Sequence, residues 1–180
     1  MMYRWIVLGL FAVLAACSSM NSALHREKTA IAMLAPTDGN VASGIINFSK
    51  DGDIMQIDIR VDNLEPNSTH GIHIHSIGDC RAPDASSAGG HFNPHGSSHG
   101  GVQSEPRHIG DLGNIQADAS GTAIASIQVT GLSLGKGVDN IIGRAVIVHA
   151  DADDMSSQPS GNAGPRIACG LISKNPDKFF

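Results

Sequence analysis

The clearest hydrophobic pattern in the chain is an alternation of apolar and polar residues over positions 53–61. Ile57, Ile59 and Val61 alternate there with polar side chains, which is typical of a β-strand with one buried face. Seven further short segments are apolar or alternating, and separators rich in glycine, aspartate and serine lie between them. The eight predicted strands are 29–34, 41–48, 53–61, 71–77, 115–117, 122–129, 144–149 and 167–173.

This series of short strands predicts an all-β domain. No segment after residue 16 shows a long helical period, and eight strands separated by turn signals favour a barrel or a sandwich. Two connections, 78–107 and 150–166, are much longer than ordinary turns. Loops of that length in compact domains are usually functional or disordered, so we expect the chemistry of the protein in these two segments.

The N-terminus predicts export and lipid attachment. Arg4 precedes an apolar run at 6–16, which is too short to span a bilayer and fits a secretory signal. The run ends at Cys17 in a pattern that resembles the lipobox of bacterial lipoproteins, and this implies cleavage before Cys17 and lipid on it. An ordinary signal with a chance cysteine is the alternative. We therefore expect a signal at 1–16, a tether at 17–27, where His25 is expected to be solvated, and a domain at 28–180.

Charge and cysteine content narrow the possible partners. The chain has 12 basic and 17 acidic residues, a net charge of −5, and no basic block, so a nucleic-acid partner is not expected. With Cys17 assigned to the lipid, Cys80 and Cys169 are an even pair in an oxidising compartment. The predicted location is the bacterial envelope, on the periplasmic side, and Ser18 after the lipidated cysteine favours the outer membrane.

Nine histidines are many for 180 residues, and six of them lie between residues 70 and 99. His73 and His75 are two apart on a predicted strand, so both side chains point to one face. With His149, which ends an apolar strand, and one more histidine they would make an all-imidazole site suited to copper. A polar strand face that happens to hold two histidines is the alternative.

A second set combines histidines of the first long loop with one carboxylate. Three imidazoles and a carboxylate form a closed tetrahedral set that suits Zn²⁺, and such a site would also stabilise a glycine-rich loop. His70 is expected to hydrogen-bond the backbone, and His95 to be solvated. The second set is His91, His99, His108 and Asp111.

Taken together, these motifs resemble the Cu,Zn superoxide dismutases over about residues 28–173. The family implies an eight-stranded antiparallel Greek-key barrel and dismutation of superoxide to O2 and hydrogen peroxide. It also implies a copper ion that cycles between two redox states and is bridged through a histidine to a structural zinc ion. The matching stretches are 44–48 (GIINF), 70–75 (HGIHIH), 90–94 (GHFNP), 108–114 (HIGDLGN), 141–149 (IIGRAVIVH) and 161–170 (GNAGPRIACG).

The resemblance implies a role for each residue of the site. Copper is held by His73, His75, His91 and His149, and zinc by His91, His99, His108 and Asp111. His91 bridges the metals, Asp153 hydrogen-bonds one histidine of each site, Cys80 and Cys169 form the disulfide, and Arg166 lies beside the copper channel.

Several functional points stay open at this stage. Hydrogen bonds from Arg166 to backbone carbonyls of a loop are an alternative role that is compatible with its position at the channel. The short second loop carries no lysine that could help Arg166 to attract superoxide. A homodimer is possible, because 141–143 resembles a stretch near the animal dimer contact. Alternative functions are a non-enzymatic copper- and zinc-binding lipoprotein, a copper-only dismutase and a zinc hydrolase.

Overall fold

A computed structural model describes residues 28–174, and this part of the chain folds into eight strands and one 3-10 turn. The predicted signal and tether, with Cys17 and His25, lie outside the described residues, as do residues 175–180. Within 28–174, no helix is long and apolar enough to cross a membrane. The strands are β1 Lys28–Pro36, β2 Ser43–Asp51, β3 Ile54–Asp62, β4 Thr69–His75, β5 Asp111–Gln116, β6 Ala123–Thr130, β7 Ala145–His149 and β8 Arg166–Ser173.

The strands form an antiparallel, nearly closed barrel. Their spatial order is β5-β4-β7-β8-β1-β2-β3-β6, and each pair of neighbours is antiparallel. A bridge between Ala117 and Ala123 brings the two end strands of this order together. Because β3 pairs with β6 and β4 with β7, the connections cross over between non-consecutive strands as in a Greek key. The predicted all-β, eight-stranded fold is confirmed.

The apolar face of each strand points into one core. On β3 the alternation predicted from the sequence buries Met55, Ile57, Ile59 and Val61. On β4 the intervening residues Ile72 and Ile74 belong to the same core. The histidines between and after them are thereby held on a strand that is fixed by packing on its other face.

Most strand ends differ from the prediction by up to three residues, and the start of β5 differs most. β5 begins at Asp111, whereas the pattern predicted a strand only over 115–117. The first three residues of β5 are all buried, so the alternation that marks a half-buried strand is missing there. Gly113 also has a φ of 84°, and the pairing with β4 shifts register between Gly71 and His73. An irregular strand of this kind has no simple sequence period.

The two predicted long loops connect β4 to β5 (76–110) and β7 to β8 (150–165). A disulfide between Cys80 and Cys169 joins the first loop to β8, with the two Cα atoms 5.8 Å apart and a sequence separation of 89. This confirms the predicted disulfide. Chain-entropy arguments give about 4–5 kcal/mol for closing a loop of that length, so the cross-link stabilises a segment with little core of its own.

Candidate metal centre

Two groups of metal-ligating side chains meet between the two long loops, on the face of β4 and β7 opposite the core residues Ile72, Ile74 and Val148. Within each group, one ligand atom per residue lies within 4.8 Å of the others. β4 and the end of β7 supply three histidines of the first group, while the first loop and the start of β5 supply the second. His91 belongs to both. The groups are His73, His75, His91 and His149, and His91, His99, His108 and Asp111.

Each histidine of the first group keeps one buried ring nitrogen without a protein partner. An unpaired buried polar atom costs about 1–3 kcal/mol, and neutral imidazole nitrogen is the commonest metal ligand in proteins. These atoms therefore fit a metal ion. The buried nitrogens without a hydrogen-bond partner among residues 28–174 are His73 Nδ1, His75 Nε2, His91 Nε2, His99 Nδ1 and His149 Nε2.

The opposite nitrogen of each ring in the first group is tied to an oxygen atom. His75 Nδ1 lies 2.8 Å from the Gly89 carbonyl oxygen, and His149 Nδ1 lies 3.0 Å from that of Gly164. His73 Nε2 lies 2.8 Å from Asp153 Oδ2. A proton on the tied nitrogen leaves the lone pair on the other one, so these contacts select the tautomer that can bind metal.

In the second group, three imidazole Nδ1 atoms converge on the Asp111 carboxylate. Oδ1 lies 2.8 Å from His91 Nδ1 and 3.2 Å from His108 Nδ1, and Oδ2 lies 3.1 Å from His99 Nδ1. Burial alone raises the pKa of Asp111, but hydrogen bonds from His91 and from the Gly100 main-chain N–H outweigh burial and lower this pKa to about 2. The carboxylate is therefore ionised at neutral pH and matches a cation at this point.

Asp153 connects the two groups, as the resemblance implied. Its Oδ2 contacts His73 and its Oδ1 lies 2.9 Å from His99 Nε2. Asn114 holds the main chain of Asp153: its Oδ1 accepts the Asp153 N–H at 2.8 Å, and its Nδ2 donates to the Asp153 carbonyl at 2.9 Å. The role of Asn114 was not predicted from the sequence, since an asparagine two-thirds of the way along an irregular strand carries no signal of such a contact.

Burial lowers the pKa values of His73, His75 and His149 and keeps these three imidazoles neutral. It lowers the pKa of His75 well below the ordinary value and lowers that of His149 to about 3. Positive charge at Arg166 lowers both pKa values further. At neutral pH these rings therefore have free lone pairs before any metal arrives, and loading does not have to displace protons from them.

Arg166 lies at the edge of a pocket of ≈ 430 Å³ that is also lined by His75, His91 and His149. Its guanidinium donates to the carbonyl oxygens of Ala85 and Gly89 in the first loop. The predicted tie between this arginine and loop carbonyls is thus observed, together with a position beside the histidines of the first group.

The two remaining described histidines lie outside both groups. His70 Nδ1 lies 2.8 Å from the His149 carbonyl oxygen, which confirms the expected backbone contact. His95 is about half exposed, as expected for a loop residue, and its Nε2 lies 2.6 Å from Asp139 Oδ1, a partner that the sequence did not indicate.

The fold and these two adjoining ligand groups define a β-barrel protein with a two-metal centre that shares one histidine. A family profile described as copper/zinc superoxide dismutase (SODC) matches residues 42–172. The chain therefore belongs to the copper/zinc superoxide dismutase family. It dismutes superoxide to O2 and hydrogen peroxide with copper and zinc as cofactors.

Individual relatives agree with the family assignment. A Cu-Zn superoxide dismutase of Paramecium bursaria Chlorella virus 1 is 38% identical over 97% of this chain and 95% of its own length. A Cu-Zn superoxide dismutase of Onchocerca volvulus is 43% identical over 78% of this chain and 94% of its own length. An extracellular Cu-Zn superoxide dismutase of Brugia pahangi is 41% identical over 83% of this chain and 78% of its own length. These relatives favour the dismutase over the non-enzymatic and hydrolase alternatives.

Proposed function

We propose that the first group holds copper and the second holds zinc. Four imidazole nitrogens suit Cu(II), and three imidazoles with one carboxylate suit tetrahedral Zn²⁺. The observation that carries the assignment is the set of buried ring nitrogens without partners among residues 28–174, one on each histidine of the first group. The copper group is His73, His75, His91 and His149, and the zinc group is His91, His99, His108 and Asp111.

His91 is proposed to bridge the two ions, because its two nitrogens face different groups. Nδ1 lies 2.8 Å from Asp111 Oδ1 and 3.4 Å from His108 Nδ1, whereas Nε2 is buried and has no partner among the described residues. Nε2 is then the atom at which His91 can hold a proton and pass it to the departing product. Because His91 belongs to both groups, the contacts of its Nδ1 in the second group orient the Nε2 atom that would transfer the proton.

The chemistry divides between the cofactors and the pocket. When bound, copper exchanges single electrons with superoxide, and zinc, which has no redox chemistry, holds the shared histidine in place. Arg166 attracts the anionic substrate to the pocket: the chain has a net charge of −5, so attraction must come from a local positive group. Burial lowers the pKa of Arg166, but a guanidinium stays charged at any working pH.

Metal content and superoxide consumption of single variants test the assignment. Residues 18–180, loaded with one copper and one zinc, are compared with zinc-only and metal-free protein, and activity is expected only with copper. His75→Ala should lose copper and keep zinc, and Asp111→Ala should do the reverse. His95→Ala, a loop histidine outside both groups, is the control. Retention of copper and activity by His75→Ala would overturn the assignment.

We further propose that the enzyme acts in a bacterial envelope, anchored by lipid at Cys17 and facing the periplasm. The apolar run at 6–16 that ends in a cysteine supports this location. Expression with a radiolabelled fatty acid tests it: label should enter the wild-type protein and be absent from Cys17→Ser. Equal labelling of the variant would contradict the anchor.

A homodimer is also proposed, through an apolar surface beside the disulfide. Met33 is 39% exposed and Ile77 is 52% exposed, and with Cys80 and Leu171 they line one concave face. Light scattering during gel filtration should give twice the monomer mass for wild type and the monomer mass for Ile77→Asp. Ile124→Asp, at a position on β6 that is 72% exposed and lies outside this face, is the control. A wild-type monomer would contradict the proposal.

A further inference from the structure

The second long loop is attached to the first by the side-chain amide of Gln158. Its Oε1 accepts the main-chain N–H of His99 at 2.8 Å, and its Nε2 donates to the His99 carbonyl at 3.0 Å. One amide thus pairs with both main-chain polar groups of a single residue, as a neighbouring strand would. The contact spans 59 residues of sequence and fixes the backbone of the first loop where no strand supports it.

The ring of His99 is fixed separately from its backbone. Nε2 lies 2.9 Å from Asp153 Oδ1, and Asp153 is itself held by Asn114 through two main-chain hydrogen bonds. With the backbone held by Gln158 and Nε2 held by Asp153, Nδ1 remains directed toward the Asp111 carboxylate, 3.1 Å from Oδ2. Both ends of this residue are therefore positioned by the second loop.

Gly161, three residues after Gln158, lies directly against the hydrogen bond between His99 and Asp153. It has a φ of +65°, and a Cβ built on it would lie 1.8 Å from Asp153 Oδ1 and 2.7 Å from His99 Nε2. Main chain therefore lies directly against the hydrogen bond between His99 and Asp153. The segment 158–161 therefore contacts this bond through Gly161 and pairs with the backbone of His99 through Gln158.

We propose that Gln158 is a positioning residue for zinc retention, which sets how slowly zinc leaves rather than how fast superoxide is consumed. Zinc release requires a ligand to swing away, and His99 lies on a loop without regular structure, where local opening is easiest. Pairing with Gln158 opposes that opening. The inference rests on the proposed assignment of His99 to zinc.

Zinc release from full-length protein loaded with copper and zinc tests the role of Gln158. A chromophoric chelator in excess reports the release rate for wild type, Gln158→Met and Gln158→Glu. Methionine keeps the length and removes both hydrogen bonds, while glutamate keeps only the acceptor. Since outer hydrogen-bond partners change metal affinity about 10–100-fold, Gln158→Met should release zinc roughly tenfold faster, and Gln158→Glu should be intermediate.

A matched glutamine on the barrel separates a local role from a general one. Gln128 on β6 donates to Gln56 at 2.9 Å and lies outside both metal groups, so Gln128→Met should release zinc within twofold of wild type. Gln158→Met should also shift the absorption bands of cobalt(II) placed in the zinc position and keep its copper. Zinc release at the wild-type rate would overturn the proposal, as would equal loss of copper. If Gln158→Met fails to fold, the comparison of Gln158→Glu with wild type decides in the same way.

His108→Ala distinguishes the proposed role of Gln158 from the assignment of the second group to zinc. If His108→Ala binds zinc as tightly as wild type, the zinc assignment fails. If His108→Ala loses zinc while Gln158→Met releases it at the wild-type rate, the assignment stands and only the role of Gln158 is overturned.

Discussion

His75 and Arg166 hydrogen-bond to the same atom, the carbonyl oxygen of Gly89. His75 Nδ1 lies 2.8 Å from it and Arg166 Nη2 lies 2.6 Å from it. One peptide group thus orients both a proposed copper ligand and the cation proposed to attract superoxide. Gly89 belongs to the loop that the Cys80–Cys169 disulfide joins to β8, so the covalent link stabilises the position of that carbonyl.

Substitution of Arg166 should separate its charge from its hydrogen bonds. Arg166→Leu removes both, and we expect kcat/KM for superoxide to fall about tenfold or more, because local electrostatic attraction raises association rates 10–10³-fold. Arg166→Lys keeps the charge but not the two-armed contact with Ala85 and Gly89, so an intermediate rate is expected. Superoxide consumption at several ionic strengths measures both effects.

The control for this series is Arg60→Leu, at an exposed arginine on β3 that pairs with Asp62. It should leave kcat/KM and its salt dependence unchanged. A wild-type rate in Arg166→Leu, or an equal loss in Arg60→Leu, would contradict a steering role for Arg166.

The metal-free protein should lose stability in acid because of its buried histidines. The pKa of His149 is about 3 in the fold against an ordinary value of 6.5, so between these pH values the unfolded chain binds a proton that the folded chain does not. The free energy of unfolding therefore falls as the pH drops from about 6.5 toward 3. Asp111, with its pKa lowered from 3.8 to about 2, adds a further loss below about pH 4.

Urea unfolding of metal-free protein at pH 7, 5 and 4 measures this slope. His149→Gln should make this slope shallower, while the lowered pKa values of His73 and His75 leave part of it in place. A pH-independent free energy of unfolding in wild type would contradict the role of the buried imidazoles. His95→Gln, which replaces a half-exposed loop histidine outside both groups, is the control.

Local pattern was enough to predict the strands and to place two histidines of the first group on one strand face. The spacing of His73 and His75 places both on one face of β4, because side chains alternate along a strand. Their approach to His149 depends on the pairing of Ile72 with Val148 between β4 and β7. That pairing links residues far apart in sequence, and the spacing of the histidines does not specify it. The resemblance to a family is what placed His149 with His73 and His75.

The contacts that hold the ligands in place were not predictable in the same way. Asn114, on β5, and Gln158, in the second loop, act through hydrogen bonds to the main chain of Asp153 and His99, and an amide side chain does not indicate its partner by its place in the sequence. The carbonyls of Gly89 and Gly164 carry no side-chain signal at all. Such positions follow from the path of two long loops, which no periodicity describes.

Asp153→Asn should weaken zinc binding without changing the size of the side chain. The carboxylate accepts from His73 Nε2 and His99 Nε2 at once, whereas an amide has one acceptor oxygen and turns its NH2 group toward the second ring nitrogen. Loss of an outer partner of this kind raises metal dissociation constants about 10–100-fold. Competition with a chelator of known affinity measures the change.

The neighbouring Asp154 provides the control for this substitution. Asp154 accepts hydrogen bonds from Ser156, Ser157 and Asn162 within its own loop and belongs to neither metal group. Asp154→Asn should therefore change zinc affinity less than about threefold. Equal weakening by the two substitutions would point to loosening of the loop rather than to the contacts of Asp153.

Gly161→Ala should expel the Asp153 carboxylate from its position. The added Cβ would lie 1.8 Å from Asp153 Oδ1, at a backbone φ of +65°. The left-handed conformation alone costs about 1 kcal/mol for alanine, and loss of a hydrogen bond to a charged group costs about 2 kcal/mol more. We expect the free energy of unfolding to fall by about 3 kcal/mol and zinc affinity to fall with it.

Gly39→Ala separates the steric clash with Asp153 from the free-energy cost of a left-handed backbone at alanine. Gly39 has a φ of +75° with no described atom within 4 Å of the added Cβ, so this variant should lose only about 1 kcal/mol and keep its zinc. Thermal unfolding and zinc content of the two variants measure the difference. If Gly161→Ala and Gly39→Ala lose the same stability and both keep zinc, the Asp153 carboxylate has room to move, and the second loop does not hold it against His99.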